Sequence, residues 1–218
     1  ATHDVRHHAV QPDDCARWLA ATGPMLHLVV LVGFRYGKCT EGIAASLPSL
    51  WIVTVDACHL PGGNVVCVLF SDEQPGFVAG YLAGLVTSSR TVAVVGGIPT
   101  PQVQKLFNAF ILGARAACPE CYVEGVCVDS FFNATNALAV TDYLVGSLGA
   151  DVVFGCGGLT GSFAIAHAVS LGARVIGFDA DEYFTTFAGA SPTVRDHVLT
   201  SVVKRVDIAV QLAVSMFL

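Results

Sequence analysis

From Leu26 to Phe178 the sequence alternates short apolar runs with helical stretches, and each run is about the length of one buried strand. The runs are 26–33, 51–55, 64–70, 91–95, 122–128, 151–154 and 175–178. Between and after them, helical patterns span 76–86, 102–117 (opening after Pro101), 134–148 and 162–171. A chain that switches this often between a strand and a longer helical segment reads as α/β, with parallel sheets flanked by helices. In the first of these helices Ala79, Gly80, Ala83 and Gly84 permit close packing. Residues 179–196 read as a long turn-rich stretch and 202–216 as a final helix, while Ser71–Pro75 is the one plausible linker.

Charge narrows the function classes. Against 11 Lys and Arg stand 17 Asp and Glu, for a net charge of −6, and no basic block is available to neutralise phosphates. Nucleic acid is therefore not an expected partner. With 54% hydrophobic residues and 13% charged residues the chain is not a disordered tail. Its apolar run at Leu28–Val32, with Met25 and Leu26 ahead, is far short of the ~20 residues of a membrane span.

Eight cysteines stand at 15, 39, 58, 67, 118, 121, 127 and 156. Exported chains use such numbers for disulfides, cytosolic ones for metals or catalysis. Cys118-Pro-Glu-Cys121 has the spacing of half a zinc site but no matching second pair, and it follows a helix where a redox dithiol would open one. Local bridges are expected within Cys118, Cys121 and Cys127 and within Cys39, Cys58 and Cys67, with Cys156 left free. Asn133-Ala134-Thr135 is an N-glycosylation acceptor in a eukaryotic secretory setting, which, with the cysteines, tilts the compartment to the extracellular side. The sequence carries no signal peptide, as a mature fragment or an excised domain would not.

Several clusters could carry chemistry. Gly155-Cys-Gly-Gly-Leu-Thr-Gly161 follows a strand and opens a helix, and the next strand ends at Asp179. That arrangement fits a small-ligand contact, a plain tight turn or a dinucleotide site; for the last, Thr160 stands where the third glycine belongs. Asp179-Ala-Asp181-Glu182 sits where open α/β sheets bind ligands, and a lone carboxylate gripping ribose is its best single role. Lys204 is expected to begin the last helix, where the dipole disfavours a cation unless a ligand or partner carboxylate answers it. His3, His7 and His8 with Asp4 could hold a metal but read better as a frayed terminus. Asp56-Ala-Cys-His59 lacks a fourth ligand. No nucleophile elbow, P-loop, H-E-x-x-H or EF-hand loop occurs, and nothing argues for catalysis or a bound metal.

The order of several motifs resembles a known family. Gly33-Phe34 and Phe70-Ser-Asp-Glu-Gln-Pro-Gly-Phe-Val-Ala-Gly-Tyr-Leu-Ala-Gly84 are followed by Val95-Gly-Gly-Ile98, Phe107-Asn-Ala-Phe-Ile-Leu-Gly-Ala114 and Ala150-Asp-Val-Val-Phe154. Gly157-Gly-Leu-Thr-Gly161, Val175-Ile-Gly-Phe-Asp179 and Leu199-Thr-Ser-Val-Val-Lys-Arg-Val-Asp207 complete the series. Over about 190 residues these are similar to the basic membrane protein family, which includes the purine nucleoside receptor lipoproteins of spirochaetes, substrate-binding proteins of ABC transporters.

That resemblance implies a two-lobed, type I periplasmic-binding-protein-like α/β fold that binds a purine nucleoside between lobes, with no cofactor and no catalysis. The lobes are expected as 1–72 and 73–180, with 181–218 as crossover and return helix. The chain starts at a segment resembling the family's second strand, so the first lobe is expected to be incomplete at the N-terminus. By the resemblance, Asp179 and Lys204 hold the ribose, with Asp181 as the alternative carboxylate. Gly157, Gly158, Thr160 and Gly161 line the cleft, Arg35 and Tyr36 offer polar contacts to the base, and Phe154 stacks on it. The expected setting is extracellular or at the cell surface, as part of a receptor or transporter. The rival readings are a NAD-dependent enzyme built on the glycine turn and Asp179, and a degenerate domain with only protein contacts.

Overall fold

The computed structural model describes residue 6 and residues 8–58 and 63–217. His3, Asp4, His7 and His59 of the weighed metal clusters lie outside the described residues. The chain divides into two compact units, Ala1–Phe70 with Arg205–Leu218, and Ser71–Lys204.

The first unit opens with α1 (Cys15–Thr22), then β1 (Leu28–Val32), a 3-10 segment Phe34–Thr40, α2 (Ile43–Ser46), β2 (Trp51–Val55) and β3 (Val65–Val68). The three strands pair in parallel in the order β1-β2-β3. Alternation along β2 decides its two faces. Ile52 joins Leu19 of α1, Leu31 and Leu50 on one side. Val53 and Val55 face the other way, towards Ala209 and Ala213. Disulfides join Cys15 to Cys39 and Cys58 to Cys67.

The second unit runs α3 (Glu73–Val86), β4 (Thr91–Gly96), α4 (Pro101–Ala117), β5 (Tyr122–Cys127) and α5 (Ala134–Thr141). A π-helical turn, Asp142–Ser147, extends α5. Then come β6 (Val152–Gly155), α6 (Gly158–Ser170), β7 (Arg174–Asp179), α7 (Pro192–Arg195) and β8 (Val198–Val203). The sheet is parallel throughout, in the order β5-β4-β6-β7-β8. Val92 and Val94 of β4, with Phe154 of β6, meet α3 and α4 on one face. Ala93, Val95 and Val153 meet α5 and α6 on the other. Burial on both faces explains why these strands read as unbroken apolar runs.

The last helix, α8 (Val206–Ser215), belongs to the first unit and supplies Ala209 and Ala213 to the face of β2 just described.

Two expectations are corrected. Residues 181–204 are not a crossover: β8 pairs in parallel with β7 and so stays in the second unit. The final helix accordingly starts at Val206, and Lys204 stands before it, between strand and helix. Among the bridges, Cys118–Cys121 and Cys58–Cys67 are local as expected and Cys156 is free. Cys39 instead reaches Cys15, because α1 packs beside the segment that follows β1.

Candidate functional site

In the second sheet the chain leaves β4 for β5 on one side and returns to β6 on the other. The carboxyl ends of β4 and β6 therefore flank a topological switch point, where open α/β sheets leave a crevice. Glycines line both. A Cβ on Gly157, which has φ +105°, would stand 2.3 Å from the amide nitrogen of Gly97. Only backbone fits there. The ring of Phe131 covers this floor, since a Cβ on Gly97 would lie 2.4 Å from its Cδ1.

The turn is fixed from below by Thr160. Its side chain is fully buried; the hydroxyl donates to the Ser130 carbonyl at 2.6 Å and accepts from the Asn133 amide at 3.1 Å. The Thr160 amide donates to the Phe131 carbonyl. Thr160 thus positions the loop carrying Phe131 and does not line an open surface. Gly161 is buried as well, pressed so closely on the exit of β6 that a Cβ would come within 2.8 Å of the Cys156 amide nitrogen.

Asp179 closes β7 in a left-handed conformation, φ +70°, and is exposed. Aspartate tolerates this region better than most residues, and such backbone settings concentrate where strand ends serve a site. Its carbonyl accepts the Lys204 amide at 3.0 Å. The Lys204 ammonium lies 3.1 Å from Oδ1 of Asp72, the two side chains being 9% and 4% exposed. It also sits 5.6 Å from the centre of the Phe178 ring. Burial pushes the Cys156 thiol well above its ordinary range, and the nearby Cys127 and Asp179 add to the shift. Asp179 therefore stands within electrostatic reach of the glycine turn, so Gly157, Gly158, Asp179 and Lys204 share one end of one sheet.

Other expected residues have different employment. Phe154 is fully buried, stacked on Phe110 with centroids 5.4 Å apart and edge-on to Phe178, because its position on β6 points it into the α3–α4 face. It is a core ring. Oδ1 of Asp181 accepts from the Tyr183 amide at 3.2 Å, which makes it a turn-former. Tyr36 donates its hydroxyl to the Val10 carbonyl at 2.6 Å and packs into the first unit's core. Arg35 is exposed on the 3-10 segment after β1 of that unit.

Two residues were missed as site components. Phe131 could have been found from its place after the strand 122–128, at a carboxyl end. Asp72 stood in the acidic lead before α3, but nothing in one sequence ties it to a lysine 132 positions later. Among the described residues no group of three His, Cys, Asp or Glu side chains could hold a metal, and Cys118 and Cys121 are bonded to each other. No helix among them is long and apolar enough to cross a membrane.

Known proteins place this geometry. The CD4+ T-cell-stimulating antigen of Listeria monocytogenes is 28% identical over 192 residues, 84% of this chain and 54% of the relative. Basic membrane protein A1 of Borrelia garinii is 23% identical over 198 residues, 88% of this chain and 56% of the relative. The chain thus spans about half the length of these curated relatives. Among solved structures, a solute-binding protein of an ABC transporter system from Aeropyrum pernix superposes with a TM-score of 0.78 at 22% identity, covering 94% of this chain and 58% of that one. The fold is that of the type I periplasmic-binding-protein class. With residues 19–218 matching the family described as ABC transporter substrate-binding protein PnrA-like, the chain belongs to that Bmp family of substrate-binding proteins.

Proposed function

We propose that the protein binds a purine nucleoside, or a closely related riboside, without transforming it, and presents it to a transporter or receptor at the outer face of a membrane. The observation that supports this best is the coupling of Asp179 to Lys204 through their backbones at the end of the sheet that also bears the Gly157–Gly158 turn. A carboxylate accepts from two adjacent hydroxyls at once, and an ammonium donates to their oxygens; a ribose offers both. The glycine floor admits a flat sugar edge, and Phe131, whose ring lies against Gly97, takes the aromatic role, Phe154 being packed in the core. The membership in a family of substrate-binding proteins supports capture over catalysis. The nucleoside is our reading of the residues.

Calorimetry with adenosine, guanosine, inosine and NAD tests it. We expect at least one nucleoside to bind and NAD to bind more weakly than that nucleoside. NAD binding tighter than every nucleoside would overturn the reading in favour of a dinucleotide enzyme. Flat titrations with all four would favour a domain that contacts only protein.

A further inference from the structure

Helix α3 is built inside out. A surface helix ordinarily turns its large apolar residues to the core and its polar ones to water. The buried face of α3 is instead Gly76, Ala79, Gly80, Ala83 and Gly84, which lets its backbone press on that of α4. Its large side chains stand outside: Phe77 and Tyr81 are each 41% exposed, Leu85 61% and Val78 65%. Phe77, Tyr81 and Leu85 form one row along the helix, each a turn beyond the last, and the first two rings stack. The two helices run side by side in the same direction, with Gly76 beside Leu106 and Gly84 beside Ala114. Gly113 lies against the amide of Tyr81, so Leu112, also mostly exposed, stands level with Tyr81. Together these five side chains expose about 500 Å² of apolar surface, in the upper range for the largest patch of a monomer. Two such faces in contact would bury about 1,000 Å², enough for a specific interface.

Charge decides the occupant and its direction. No charged residue occurs between Glu73 and Arg90, so the row does not repel its own copy although the chain has a net charge of −6. An ion pair marks each end: Glu73 with Lys105 at 3.9 Å where the helices begin, and Arg90 with Glu120 at 3.7 Å beyond where they end. All four of these side chains are more than half exposed. A second copy turned antiparallel, about a two-fold axis passing Tyr81 and Leu112, brings Glu73 towards Arg90 of the other copy and Lys105 towards its Glu120. Phe77 then meets Leu85 of the other copy, and Tyr81 meets Tyr81. A parallel arrangement would set like charge over like. The face thus complements itself, as a two-fold contact requires.

We propose that the α3–α4 face is a homodimer contact, in which two copies of this chain pack antiparallel about Tyr81 and Leu112. Analytical ultracentrifugation of the chain at about 50 µM should show a dimer. Tyr81→Lys sets two ammonium groups against each other at the axis, and each loss counts twice, so dimerisation should weaken about 100-fold or more. Met25→Lys, at an exposed apolar position of the first unit, should leave it unchanged. A chain that stays monomeric at that concentration overturns the proposal and leaves the face to a different partner. A dimer that Tyr81→Lys leaves intact overturns it equally. Should Tyr81→Lys fail to fold, the exposed charges at the two ends supply a second reading. Arg90→Glu should weaken the dimer about threefold or more, and Arg90→Glu combined with Glu73→Arg should restore it. A double variant that associates no better than Arg90→Glu alone overturns the antiparallel arrangement.

Discussion

The amide of Lys204 donates to the carbonyl of Asp179 at 3.0 Å, so the two residues are fixed to one another by main chain. Replacing the Asp179 side chain should therefore spare the β7–β8 ladder. Asp179→Ala is expected to weaken nucleoside binding about 10–100-fold, the worth of one or two charge-assisted bonds. Thermal stability should fall by about 1–2 kcal/mol, because alanine tolerates the left-handed backbone at φ +70° less well than aspartate. A 2′,3′-dideoxy analogue should lose much less. Equal losses for both ligands would show that Asp179 does not touch the ribose.

The crossing of α3 and α4 sets a second expectation. A Cβ on Gly80 would stand 2.0 Å from the Phe110 carbonyl oxygen, and one on Gly113 would stand 2.0 Å from that of Phe77. The helices meet backbone to backbone, so neither can yield by a rotamer change. Gly80→Ala and Gly113→Ala should each cost about 1–3 kcal/mol or more in denaturant unfolding. Gly146→Ala, with nothing within 4 Å, serves as the control and should stay near neutral.

Acid should loosen the junction between α3 and β4. Burial raises the Asp151 carboxyl, but the Thr87 hydroxyl and the amides of Ser88 and Ser89 outweigh it and hold the group below its ordinary value. A folded value lower than the unfolded one stabilises the protein above the unfolded pKa, about 3.9, and the benefit disappears as pH falls through the folded value. Asp151→Asn should be less stable than wild type at pH 7 by about 1 kcal/mol. The gap between the two melting curves should narrow as pH falls from about 3.9 through the folded value. A gap that stays undiminished across that acid range would show that the carboxylate charge is irrelevant.

Thiol chemistry checks the cysteine assignment. Peptide mapping without reductant should recover Cys15–Cys39, Cys58–Cys67 and Cys118–Cys121, with Cys127 and Cys156 unbridged. Burial raises both free thiols, that of Cys156 far more, with Asp129 adding to the shift at Cys127. Alkylation at pH 8 should therefore mark Cys127 first and reach Cys156 only after unfolding. All eight found as free thiols would remove the disulfides and the extracellular setting with them.

How legible the molecule was depends on how local each signal is. The strands at 28–32, 51–55, 91–96 and 152–155 announce themselves because burial on both faces demands unbroken apolar runs. β8 does not announce itself, and only its last two residues fall in the expected helix 202–216, because Thr200 and Ser201 interrupt its apolar pattern, although Val198, Thr200, Val202 and Val203 are β-branched. Glycine-rich turns were readable as turns, but Thr160 looked like a ligand contact since one sequence cannot show which way a hydroxyl points. Phe154 failed for the same reason: alternation assigns it a face, and only the packing of α3 and α4 says that this face is closed. The pairing of Asp72 with Lys204 depends on two segments far apart in the chain, which no spacing rule reaches.

The division of the first unit between the two ends of the chain has a consequence for how the protein is made. Val53 and Val55 are covered by Ala209 and Ala213, yet about 150 residues must be synthesised between them. At roughly 5–20 residues per second that is an interval of about 7–30 s. The contiguous second unit can finish folding on the ribosome during this time, while the sheet begun first waits with one apolar face uncovered. A chaperone acting on the nascent chain would find its target there, on a sheet that emerges before the second unit and is completed only after it.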